Sequence, residues 1–204
     1  GQESPVPIIT VGTIENPTIC GGVGTIPLIL SNVPDGNYTI TYVKGSFSDV
    51  NVLAGTAVIS APSGIYNNLQ IMVDGKTSEL GVNVAISNPE APDAPVTGIV
   101  VQPTCSVSTG SVELTGLPTG LWTINPGNIS GTGSSYNVNG LIAGTYNFTV
   151  TNASGCISPA SEDVLIKEQP MTPNEPHLDV IQPTCEVTTG TIRIITPIET
   201  EYTY

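Results

Sequence analysis

The residues of this chain best suited to chemistry are four cysteines, Cys20, Cys105, Cys156 and Cys185. Four thiols admit three complete pairings, and no Cys-x-x-Cys pair is present to suggest a metal or dithiol redox motif. His177 is the only histidine. A Ser-His-Asp or Cys-His site would have to form around that one imidazole in a proline-rich stretch, and zinc lacks ligands. No enzymatic activity is expected. Glu162-Asp163, Glu90, Asp93, Glu168 and Glu175 are hard oxygen donors near expected domain ends, where Ca2+ would stiffen a joint. No Asp-x-Asp-x-Asp/Asn loop gathers the roughly six to eight oxygens calcium takes, so solvated surface charge and no cofactor are expected. Trp122, Tyr136 and Tyr146 would suit an aromatic platform for a sugar, but Trp122 and Tyr146 stand at turn-to-strand positions where core packing is expected.

The elements that must position these residues are announced by Leu141–Cys156, LIAGTYNFTVTNASGC, a turn feeding a strand. Its frame is an apolar residue (Leu141), two residues, Gly144, one residue, Tyr146. Val33-Pro-Asp-Gly36-Asn-Tyr38, Ala61-Pro-Ser-Gly64-Ile-Tyr66 and Leu117-Pro-Thr-Gly120-Leu-Trp122 repeat it. A glycine before an aromatic residue at a strand start suits the tyrosine corner of immunoglobulin-like sandwiches, in which the tyrosine hydrogen-bonds back across the turn. Composition agrees: 22 Gly and 18 Pro interrupt almost every window, and no helical periodicity survives them. The fold class expected is all-β.

Charge excludes some partners. Four Lys+Arg against 17 Asp+Glu give −13, a surface that repels phosphate backbones and anionic membranes. No apolar run approaches the ~20 residues of a membrane span, and residues 1–7 carry no basic-then-apolar signal, so a mature form or an excised piece is expected.

Gln102-Pro-Thr-Cys105-Ser-Val-Ser-Thr-Gly110 and Gln182-Pro-Thr-Cys185-Glu-Val-Thr-Thr-Gly190 match at an offset of 80 residues, and Asn16-Pro-Thr-Ile-Cys20-Gly-Gly-Val-Gly24 is a looser third copy. The self-similarity predicts tandem immunoglobulin-like sandwich modules. The divisions are a tail at 1–6, module one at 7–87, a linker at 88–96, module two at 97–168, a linker at 169–177 and an incomplete third module at 178–204. In the linkers Pro89, Pro92 and Pro95, then Pro170, Pro173 and Pro176, recur every third residue, the period of polyproline II, or else serve to stop edge strands.

Within module two, Cys105 follows the first strand and Cys156 the tyrosine-corner strand. A Cys105–Cys156 bridge would contribute about 4 kcal/mol by loop closure, against two free thiols in a reducing compartment as the alternative. Alignment of module one to module two puts Lys76 where Cys156 stands, so Cys20 is expected unpaired in this chain, as is Cys185.

Pro-Thr-Cys-x4-Gly-Ser/Thr-Val/Ile, Leu-x-x-Gly-Thr-Tyr-x-x-x-Val and then Gly-Cys with a closing strand resembles the repeats of SprB-type gliding-motility adhesins, very large type IX-secreted cell-surface proteins of Bacteroidota. The resemblance is strongest over 97–204. It implies an extracellular structural or adhesive array whose partners are other copies or modules of the same protein and an unknown surface or glycan. One alternative is a fibre subunit whose incomplete third module is completed by a neighbour's strand. Another is a glycan-binding accessory module.

Overall fold

The computed structural model describes residues 4–79 and 81–196. The first three residues of the expected tail, Leu80, and the last eight residues of the expected third module lie outside them. The described residues hold strands and turns and no helix.

In chain order the first nine strands are β1 (Ile8–Val11), β2 (Val23–Ser31), β3 (Gly36–Tyr42), β4 (Gly45–Val52), β5 (Thr56–Pro62), β6 (Gly64–Tyr66), β7 (Gln70–Val73), β8 (Lys76–Thr77) and β9 (Val84–Ile86). They form antiparallel sheets of order β1-β2-β5 and β4-β3-β7-β8, with β6 paired to β9. Alternation along β2 buries Ile26, Leu28 and Leu30, and along β5 Ala57, Ile59 and Ala61. These side chains meet Ile40, Val52, Leu69, Ile71, Val84 and Ile86 in one core, as a half-solvated antiparallel sheet requires.

The same arrangement recurs after residues 87–95, which carry no strand. Here the strands are β10 (Val96–Val101), β11 (Gly110–Thr115), β12 (Leu121–Asn125), β13 (Ile129–Thr132), β14 (Ser135–Leu141), β15 (Gly144–Tyr146), β16 (Thr149–Asn152) and β17 (Val164–Ile166). Their sheets are β10-β11-β14, β13-β12-β16 and β15-β17, which repeat the pairings of the first unit except for that of β7 with β8. Val112, Leu114, Trp122, Ile124, Phe148, Val150 and Ile166 fill a second, separate core. A final antiparallel pair, β18 (His177–Ile181) and β19 (Thr191–Thr196), is exposed along almost its whole length.

The frame of glycine and aromatic residue does the expected work at three of its four sites. The hydroxyls of Tyr38, Tyr66 and Tyr146 donate to the carbonyls of Pro34 (3.0 Å), Pro62 (2.7 Å) and Ile142 (3.0 Å), each four residues back. At the fourth, after Gly120, Trp122 turns into the core and its Nε1–H donates to Gly133 O at 2.8 Å. The strand expected after the turn in Leu141–Cys156 is in fact two. β15 pairs with β17 while β16 pairs with β12, so the chain changes sheets between them. Buried Ser161 and Ser158 make the crossing possible, since their Oγ atoms accept from Phe148 N (3.0 Å) and Val150 N (2.9 Å), donors a continuous ladder would have used.

The glycine after each Pro-Thr-Cys motif is set by close approach. A Cβ at Gly110 would stand 2.6 Å from Val101 O, and one at Gly24 would strike Glu15 O. Gly110→Ala is therefore expected to destabilise the second unit by about 2 kcal/mol in urea unfolding, because backbone rather than a side-chain tip must move.

Tyr66 gives the first unit a dependence on alkaline pH. Burial, and after it the neighbouring Tyr42, raise its phenol above the ordinary 10.0. The folded state favours the neutral phenol, so this contribution is complete below the unfolded value and is lost as pH rises through the folded one. Urea unfolding from about pH 9 to pH 11 should show a fall in stability that is shallower in Tyr66→Phe.

Candidate functional site

The cysteine geometry overturns the expected pairing. Cys156 is bonded to Cys20, with Cα atoms 5.1 Å apart across 136 residues of sequence, and Cys105 and Cys185 are free and exposed. Cys20, read as unpaired, is therefore half of the disulfide. Cys105, read as the partner of Cys156, is not, and Cys185 is unpaired as expected. The alignment tied each bridge to one repeat, whereas the bond joins two. Cys20 lies between β1 and β2, Cys156 between β16 and β17, and the bridge staples the first unit to the second.

The staple is assembled from loops and from the first proline-rich stretch. Cys20 N donates to Ser154 O at 2.8 Å, directly across the joint. Asn152 organises the far side: its Oδ1 accepts from Ser154 N (3.1 Å) and Cys156 N (3.0 Å), while its Nδ2 donates to Glu90 O at 3.1 Å. On the near side Asn88 Oδ1 accepts from Gly21 N (3.3 Å) and Asn16 Oδ1 from Ser87 N (2.9 Å). The Pro89 carbonyl oxygen lies 3.7 Å from Cys20 Sγ and 3.3 Å from Cys156 Sγ; neither sulfur carries hydrogen, so these are packing contacts. Gly155, at φ +74°, supplies the left-handed residue that turns the chain into Cys156. Cys156 is 1% exposed.

The disulfide and these hydrogen bonds thus tie the loop before β2, residues 87–90 and the loop after β16 to one another. The site holds no nucleophile beside a base, and among the described residues no group of three or more His, Cys, Asp or Glu could hold a metal ion. The acids considered for calcium are used otherwise or apart: Asp163 Oδ1 accepts from Asn147 Nδ2 at 3.3 Å, and Glu90 serves the joint through its backbone. The aromatic trio forms no platform, since Trp122 is 2% exposed with Tyr136 edge-on to it at 5.7 Å. Sequence reasoning missed Asn16, Asn88 and Asn152. Their signal was positional, since Asn16 and Asn152 each precede a cysteine by four residues.

No protein-family model matches the chain, and no curated protein matches it. Among solved structures it is similar to the crystal structure of the titin domains Z1Z2 in complex with telethonin, at 16% identity and a TM-score of 0.34, over 83% of this chain and 100% of that one. The chain is all-β, built of antiparallel sheets, and carries one disulfide. A disulfide is compatible with an oxidising, extracellular setting.

Proposed function

We propose that this chain is a structural and adhesive segment of a secreted bacterial cell-surface protein, with tandem immunoglobulin-like modules joined by proline-rich linkers into a stiff stalk. One observation carries the reading: the bond between Cys20 and Cys156 clamps two separate cores around the linker between them. A covalent clamp at a joint serves spacing and orientation, and it belongs where thiols stay oxidised. The motifs shared with SprB-type adhesin repeats support a bacterial surface, and the net charge of −13 suits a soluble, exposed array. The segment performs no catalysis.

The test is to alkylate intact cells that make the protein, without reductant, and then to map its peptides. Surface labelling with Cys20 and Cys156 recovered as one linked peptide is expected; an intracellular protein with both thiols alkylated overturns the proposal.

A second reading rests on β18–β19. In the second unit β11 pairs with both β10 and β14, whereas among the described residues β19 pairs with β18 alone, and Leu178, Val180, Ile181 and Ile192 are exposed. A neighbouring chain that added a strand to β19 would form a fibre. Sedimentation over a range of concentrations decides: growth with concentration supports the fibre, and a monomer throughout removes it.

A further inference from the structure

The loop that carries Cys20 is built again around Cys105. Ser87 N donates to Asn16 Oδ1 at 2.9 Å, and correspondingly Lys167 N donates to Gln102 Oε1 at 2.8 Å. Pro89 O lies 3.7 Å from Cys20 Sγ, and Met171 O lies 3.9 Å from Cys105 Sγ. A Cβ at Gly24 would meet the Ile86 side chain at 2.9 Å, and one at Gly110 the Ile166 side chain at 3.1 Å. Asn88 holds the first linker against Gly21, and Gln169 Nε2 holds the second against the carbonyls of Thr104 (3.1 Å) and Cys105 (3.0 Å). Cys105 thus stands to the second unit and second linker as Cys20 stands to the first unit and first linker. Cys20 is bonded across its joint, and Cys105 is free and exposed.

We propose that Cys105 is the near half of a second staple, and that its partner is the cysteine of an Asn-x-x-Gly-Cys turn in a β unit seated after the second linker. The inference rests on the stalk reading and deepens it, by naming what the exposed thiol binds. An exposed cysteine alone would say nothing; the observed bond at the equivalent position of the preceding repeat specifies the ligand. Asn152-Ala-Ser-Gly-Cys156 shows why the turn needs that sequence: the asparagine side chain holds both the cysteine N–H and the linker backbone. The unit begun by β18 and β19 is of the right kind. Its pairs Ile181↔Thr191 and Val180↔Ile192 repeat Val101↔Ser111 and Val100↔Val112, and Thr184 N donates to Val187 O at 2.8 Å as Thr104 N does to Val107 O at 2.9 Å. Cys185 in that unit corresponds to Cys105, not to Cys156, so it is the near half of a further joint rather than the partner sought.

Closure is thiol–disulfide exchange. The Cys105 thiolate attacks a disulfide oxidant, such as a dithiol oxidase or oxidised glutathione, and the partner thiolate then displaces the oxidant's sulfur. One S–S bond forms in the protein, the oxidant's is reduced to two thiols, and two electrons and two protons pass to it.

The test is non-reducing peptide mapping of the protein as purified from alkylated cells. The Cys105 peptide should be recovered joined to a peptide containing Asn-x-x-Gly-Cys, with no alkylated Cys105 remaining. Recovery of alkylated Cys105, or of Cys105 joined to Cys156 or Cys185, overturns the inference. Alkylated Cys105 beside an intact Cys20–Cys156 peptide would defeat this inference alone, whereas loss of both bonds would defeat the stalk reading too. A second measurement uses the chain with its own residues 111–168 placed after Gly190 and glutathione as oxidant. Two bridges and one free thiol, at Cys185, are expected; a folded third unit, seen as a second buried tryptophan, with three free thiols contradicts it.

Discussion

Reduction of the Cys20–Cys156 bridge is expected to lower the melting temperatures of both units, by on the order of 15 °C each, while Cys105→Ala lowers neither. The reason lies in what each unit must do when it unfolds alone. If the second opens while the first stays folded, the bridge still closes a loop of ~70 residues from Ser87 to Cys156. If the first opens, the closed loop runs ~75 residues from Cys20 to Pro95. Either restriction costs the unfolded chain about 4 kcal/mol by the loop-entropy estimate, a large part of the ~5 kcal/mol expected of a small β unit. Trp122 is the only tryptophan and is buried in the second core, so its fluorescence follows that unit. Hydrogen exchange of peptides from β2 and β5 follows the other. A fall confined to the second unit, the behaviour of a bridge within it, would refute the account.

Trp122→Ala is expected to destabilise the second unit by about 4 kcal/mol and to leave the first unit's core intact. The indole is 2% exposed, its Nε1–H donates to Gly133 O, and its six-membered ring lies so close to Gly131 that a Cβ there would stand 2.5 Å from Cη2. Gly131 is thus shaped to the ring above it, and removal of the ring leaves a cavity that β13 cannot fill. The two predictions interact. In oxidised protein about 1 kcal/mol remains, so the variant's second unit stays mostly folded; in reductant, with the bridge's contribution also gone, it should be unfolded at room temperature. Protease sensitivity confined to residues of the second unit, appearing only with reductant, is the observation to make. A wild-type pattern in both conditions would show that Trp122 does not anchor this core.

How far the sequence carried this picture can be judged from particular residues. Strand alternation was legible in β2, β5 and β11 because each presents one face to a core and the other to water. The aromatic corners were legible because their turn is local, closing through a hydroxyl four residues away. The break between β15 and β16 was not legible, because it depends on Ser158 and Ser161, which fold back from beyond Cys156 to take backbone donors. The disulfide was misread for a related reason. A repeat aligned to itself invites pairing within the copy, yet Cys20 without a partner at Lys76, followed by two cysteines in the next unit, is the pattern of bonds that run from one unit to the next. Distance along the chain was the wrong guide where the contact is made between repeats.

The position of the bridge also decides how the segment answers a pull applied at its two ends. Tension that enters before β1 and leaves after β17 is applied first to the β1–β2 and β15–β17 ladders and then to the sulfur–sulfur bond, so the chain between Cys20 and Cys156 cannot be drawn out while that bond is closed. Stretched out, that chain would span roughly 480 Å, a length the oxidised segment keeps in reserve and the reduced one can surrender. The bond thus sets how far the two ends can be drawn apart.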